Sequence, residues 1–79
     1  VEDNMNEKEF LQGIAEILEV DENNINLNTD FRNDIEDFDS LKGFGIIVFI
    51  DDECGVKVSL QQFLESKVIG DLYKLATGE

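Results

Sequence analysis

The sequence predicts a small all-α domain, with three or four short helices around one modest core. Three observations predict it. First, 79 residues suit one domain, able to bury about 60% of the surface that the unfolded chain exposes. The 42% hydrophobic content is too high for a chain held unfolded by its net charge of −13. Second, apolar residues near both ends of the chain recur at helical spacing. Third, Ser59-Leu60-Gln61-Gln62 has the Ser-x-x-Gln form of a capping box.

Phe10, Leu11, Ile14, Ile17 and Leu18 line one face of a helix expected from about Asn6 to Glu19. Asn4 or Asn6 can cap it, and Glu7 and Glu9 suit the positive end of its dipole. Asp21 to Asn28, rich in Asp and Asn, reads as a turn-forming exit. It opens a connection of about twenty residues that runs to about Ser40, long enough to suggest a functional loop. Ile25, Leu27, Phe31, Ile35 and Phe38 recur along it as expected anchors to the core.

Leu41 to Glu53 is ambiguous by pattern. Gly43 and Gly45 each weaken a helix by roughly 1 kcal/mol, and Ile46-Ile47-Val48-Phe49-Ile50 has strand propensity. Against that, Leu41, Phe44, Ile47 and Val48 follow helical spacing, and Asp39 or Ser40 makes a good N-cap. Pattern alone divides evenly between the two. Gly55 reads as a helix C-terminal glycine. The capping box opens a short helix through about Leu64. A last helix is expected from Lys67 to Ala76, with Val68, Ile69, Leu72, Leu75 and Ala76 on one side.

Composition excludes several function classes. With 19 acidic and 6 basic residues, the chain is ill suited to neutralise nucleic-acid phosphates or bind an anionic membrane. Lack of His removes the commonest acid–base group, and a lone Cys54 provides neither a disulfide nor a His/Cys zinc site. Cys54 follows Asp51, Asp52 and Glu53, which disfavour a thiolate, so it reads as a small packing residue, as does Tyr73. EF-hand spacing from Asp21 or Asp37 puts Ile25 or Leu41 at a ligand position and lacks the required glycine; no metal site is expected. Val1 to Glu9 is acidic where a signal peptide is basic and then apolar, and the longest apolar run has five residues. A cytoplasmic, monomeric protein without membrane insertion is the expectation.

Asp39-Ser40-Leu41 remains. Alone it is a plausible helix cap. Its setting, mid-chain between a long loop and an apolar segment in an acidic domain, resembles the acyl carrier protein family. The likeness extends through Thr29-Asp30-Phe31, Asp51-Asp52-Glu53-Cys54-Gly55-Val56-Lys57-Val58 and Val68-Ile69-Gly70-Asp71-Leu72, nearly the whole chain.

The resemblance implies a four-helix bundle with a long loop between helices 1 and 2, Leu41 to Glu53 as the second helix, and a short third helix. It implies 4′-phosphopantetheine from coenzyme A on Ser40, attached by a separate phosphopantetheinyl transferase, and no catalysis by the chain itself. Cargo would be acyl or aminoacyl thioesters in fatty acid, polyketide or related biosynthesis. On the same basis Ile46, Ile47 and Ile50 would face the core and line an acyl pocket. Leu41, Phe44 and Val48, with Asp39, Asp51 and Asp52, would meet acyl-loading and acyl-processing enzymes that have basic docking surfaces. An acidic interaction protein, an inhibitor or mimic of DNA charge with no prosthetic group, is the alternative.

The chain departs from the family pattern in three places. Glu36-Asp37-Phe38 replaces a small residue and glycine in a loop one residue longer. Lys42 and Gly45 stand where acids usually follow the serine, and Gly43 and Gly45 loosen the start of the helix. These point to a specialised carrier with its own enzyme set. Residues 1–40 hold 13 acids and 2 bases, residues 41–79 only 6 and 4, so a basic partner is expected to approach from the first helix and the loop before Ser40.

Overall fold

The computed structural model describes residues 6–78. Its four α-helices are α1 (Glu7–Leu18), α2 (Ser40–Phe49), α3 (Leu60–Glu65) and α4 (Ile69–Thr77). A 3₁₀ turn, Glu22–Asn24, interrupts the long first connection. The candidate cap Asn4 lies outside the described residues.

Local hydrogen bonds set most helix ends. The Asn6 side chain accepts from the Glu9 N–H at 2.8 Å, and the Glu9 carboxylate accepts from the Asn6 N–H, a reciprocal box that starts α1. At the other end Glu19 adopts a left-handed conformation (φ 62°) and closes the helix onto the Ala15 and Glu16 carbonyls. Ser59 and Gln62 form the expected box at α3. Asp71 reaches back to the Lys67 and Val68 N–H groups at 2.9 and 3.2 Å, ahead of α4. These two bonds hold its carboxyl below the usual carboxylate range.

The ambiguous segment is helical. Ile46 and Ile50, one turn apart, are both fully buried, while Val48 between them is 42% exposed. A strand would place all three on one face, so packing selects the helix over local propensity. After Phe49 the helix widens into a π turn, Ile50–Cys54, and ends at Gly55 with φ 70°. Cys54 is half-buried; desolvation, then the Glu53 charge, raises its thiol pKa.

Phe10, Ile14 and Leu18 of α1 meet Ile46 of α2, Ile50 of the π turn, Phe63 of α3, and Ile69 and Leu72 of α4 in one cluster. Tyr73 packs edge-on against Phe10, with centroids 5.2 Å apart. Ile25, Phe31 and Ile35 bury from the long connection, and Leu27 and Phe38 pack partly against the cluster. The connection also acts through its backbone: the Leu27 and Thr29 carbonyls accept from the Gly70 and Ile69 N–H groups at 2.8 and 3.0 Å. This satisfies first-turn donors of α4 that have no acceptor within their helix. A Cβ on Gly70 would stand 3.0 Å from the Leu27 carbonyl oxygen, so the close approach needs glycine.

Candidate functional site

Ser40 is the first residue of α2 and is exposed. Asp39 precedes it in extended conformation, and its Oδ1 accepts from the Lys42 N–H at 2.9 Å. Asp39 is therefore the N-cap, and Ser40 is left with its hydroxyl at the helix mouth. Lys42 bends back so that Nζ donates to the Asp37 carbonyl at 3.2 Å, which keeps a cation beside the entry to the helix.

A groove of about 430 Å³ opens next to Ser40. Ser40, Gly43, Phe44 and Ile47 form its α2 wall, and Leu60, Phe63 and Leu64 its α3 wall. Arg32, Phe38 and Asp39 of the long connection close it. Arg32 lies over the Phe31 and Phe63 rings, 4.7 and 5.1 Å from their centroids. Its fork donates to the Phe63 carbonyl at 2.6 Å and to the Ser66 carbonyl, tying the connection to the end of α3.

The expected site residues distribute unevenly. Leu41, Phe44 and Val48 form an exposed stripe along α2, at 78%, 64% and 42% exposure. Phe44 also belongs to the groove, which the sequence reading did not assign to it. Of the three isoleucines expected at an acyl pocket, Ile47 lines the groove, whereas Ile46 and Ile50 sit wholly in the core. The reason is helical phase: Ile46 and Ile50 are one turn apart, and Ile47 is rotated about 100° away toward α3. Asp51 and Asp52 lie in the π turn, roughly 17 Å along the helix from Ser40 at ordinary helical rise. Asp51 pairs with Lys57 at 3.5 Å across an exposed surface, a contact of little energetic weight.

Sequence reading missed Arg32, Gly43, Leu60, Phe63 and Leu64 as site residues and took Phe38 only as a core anchor. Two signals for them were present. Arg32 is one of only two bases among residues 1–40 and follows Phe31 directly. The Ser59 capping box sets the phase of α3, which places Leu60, Phe63 and Leu64 on one side.

The family model for the phosphopantetheine attachment site matches residues 8–76. An acyl carrier protein of Treponema denticola is 30% identical over 67 residues, 85% of each chain. This chain belongs to the acyl carrier protein family. No solved structure matches it. Members of the acyl carrier protein family are non-catalytic carriers, and the attachment domain implies a phosphopantetheine prosthetic group.

The residues at the head of α2 suit such a group. The Ser40 hydroxyl is exposed and unobstructed by its own cap, because Asp39 serves the Lys42 N–H. First-turn N–H groups of a helix lack intrahelical acceptors, and with the helix dipole they favour a phosphate. Lys42 adds a positive charge, and Ser40 itself lines the apolar groove.

Proposed function

We propose that Ser40 is the attachment residue and that the chain presents acyl or aminoacyl groups to separate enzymes as thioesters. The observation that carries this is the exposed Ser40 hydroxyl, on the first residue of a capped helix beside an apolar groove. A phosphopantetheinyl transferase would join the Ser40 oxygen to the phosphopantetheine phosphorus of coenzyme A as the pyrophosphate bond breaks, the hydroxyl losing its proton and adenosine 3′,5′-bisphosphate leaving. The arm supplies the terminal thiol that forms the thioester; the chain contributes the anchor, the helix terminus and the surface that partners meet.

Partner enzymes would read the apolar stripe of Leu41, Phe44 and Val48, with Asp39 at its head and Asp51 and Asp52 at its far end. Glu36 and Asp37, exposed in the loop before Ser40, supply negative charge where Lys42 and Gly45 do not. This arrangement suits a specialised set of loading and processing enzymes, with basic surfaces approaching from the loop side.

The test is incubation with coenzyme A and a broad-specificity phosphopantetheinyl transferase, followed by intact-mass measurement of wild type and Ser40→Ala. The expected result is one phosphopantetheinyl addition to wild type and none to the variant. No addition to wild type, or an addition retained in Ser40→Ala, overturns the assignment.

A further inference from the structure

We propose that Lys42 is the chain's own counter-ion for the arm: once Ser40 is modified, its ammonium leaves the Asp37 carbonyl for the phosphodiester and releases the loop before Ser40. The proposal rests on Ser40 bearing the arm and adds how the rest of the chain registers the attachment.

Lys42 stands at the wrong end of its helix. It lies in the first turn of α2, third after the Asp39 cap, and is the one charged side chain of Ser40–Phe49. The positive end of a helix dipole favours acids and disfavours cations. The helices α1 and α4 follow that rule, with Glu7 and Glu9 and with Asp71 in their first turns. Breaches of a local rule concentrate at functional sites.

The contacts of Lys42 leave its charge uncompensated. Nζ donates to a neutral group, the Asp37 carbonyl, at 3.2 Å. It forms no ion pair among the described residues, although Glu36, Asp37 and Asp39 stand just ahead of it in the chain and are all exposed. The Asp39 Oδ1 accepts from the Lys42 N–H and not from its ammonium. A carbonyl offers the ammonium only a dipole, whereas a phosphodiester offers a full negative charge. The exchange is therefore favourable, most of all at low salt.

The reach of the side chain suits the exchange. Its stem already folds back to residue 37, three residues before the serine. The Ser40 and Leu41 N–H groups point to the same end of α2 and have no acceptor among the described residues. Cation and free donors thus gather at the mouth of the helix, where the Ser40 hydroxyl is exposed.

Release changes the loop. The Asp37 carbonyl shares its peptide with the Phe38 N–H, which donates to the Ile35 carbonyl at 3.3 Å. Without Lys42 this end of the connection has one tie fewer to α2, and it carries Glu36 and Asp37. Attachment of the arm thereby alters how these two acids are offered to a partner.

The experiment compares apo and holo forms of wild type, Lys42→Gln and Lys42→Arg, the holo forms made with coenzyme A and the transferase and checked by intact mass. At low salt, Lys42→Gln should lower the holo Tm by about 1–5 °C more than the apo Tm, and about 0.5 M NaCl should erase that difference. Lys42→Arg keeps the charge and should follow wild type. An equal effect of Lys42→Gln on both forms overturns the proposal, as does a difference that salt leaves unmoved. In ¹⁵N spectra, attachment should shift the Phe38 amide further in wild type than in Lys42→Gln; equal shifts overturn the release step. Should Lys42→Gln resist loading, wild type decides through its holo-minus-apo Tm. An unpaired extra charge on a chain of −13 would make that difference rise with salt, and such a rise overturns the proposal. Absence of any mass gain on wild type overturns the Ser40 assignment itself, an outcome distinct from a misassigned Lys42.

Discussion

Replacing Arg32 with Met should destabilise the fold more than any other single change at a surface cation. The fork ties residue 32 to the Phe63 and Ser66 carbonyls, more than thirty residues away, and covers two aromatic rings. A hydrogen bond to a charged group contributes about 1.5–3 kcal/mol. Because the Phe63 carbonyl still accepts from the Ser66 N–H at 3.1 Å after the change, the low end applies. A cation–π contact contributes about 0.5–1 kcal/mol in partly exposed settings. The two fork bonds count as one unit at about 1.5 kcal/mol because they share one charge, and each ring contact counts about 0.5 kcal/mol. Met keeps the stem packing, so the expected net loss is about 2–3 kcal/mol. At roughly 6 °C per kcal/mol for a chain of this length, Tm should fall by about 12–18 °C. Thermal and urea unfolding followed by circular dichroism would measure it, with an unchanged urea m-value as the control for two-state behaviour. Arg32→Lys should recover only part of the loss, because one ammonium lacks the planar fork that reaches both carbonyls. A loss below about 0.5 kcal/mol for Arg32→Met, the range of an ordinary surface substitution, would refute the reasoning. Full recovery in Arg32→Lys would refute the part assigned to the fork.

Two further variants test the helix starts. Asp39→Ala removes the acceptor for the Lys42 N–H and should cost about 1 kcal/mol, while Asp39→Asn keeps the cap and should stay within a few tenths of wild type in urea unfolding. Asp71 contributes through hydrogen bonds to its ionised form, which lower its pKa in the folded state. Its stabilisation is therefore complete above the ordinary Asp value of about 3.9 and is lost as pH falls through the depressed folded value. Asp71→Asn should accordingly be less stable than wild type at pH 7, with the gap narrowing as pH is taken from 5 toward 3. A gap that does not narrow would show that the carboxylate charge contributes nothing.

Much of the helical framework was legible because it depends on contacts three or four residues apart. A cap at Asn6, which the sequence offered beside Asn4, the box at Ser59 and the left-handed Gly55 are written in neighbouring residue types, and all three fall at helix ends. Loop anchors were legible for a related reason: Ile25, Phe31 and Ile35 are large apolar side chains in an acidic segment, and all three are buried. The head of the candidate site was equally readable, since Asp39-Ser40-Leu41 combines a cap with an exposed hydroxyl. Its walls were not. Ile46 and Ile47 are adjacent and chemically identical, yet one is in the core and the other faces the groove, a distinction set by the azimuth at which α2 meets its neighbours.

By itself the sequence determined the box that starts α3, the apolar set available for a core and the excess acid before Ser40. Hydrogen bonds between near neighbours and the balance of charge decide those. Tertiary structure decided that residues 46–50 are helical, that Arg32 ties the long connection to α3, and that Gly43 admits the Phe63 and Phe38 rings. Each of these depends on partners distant in the chain or on how one helix packs against another. Such contacts arise only once the bundle has closed, and no local preference encodes which ring will meet which glycine.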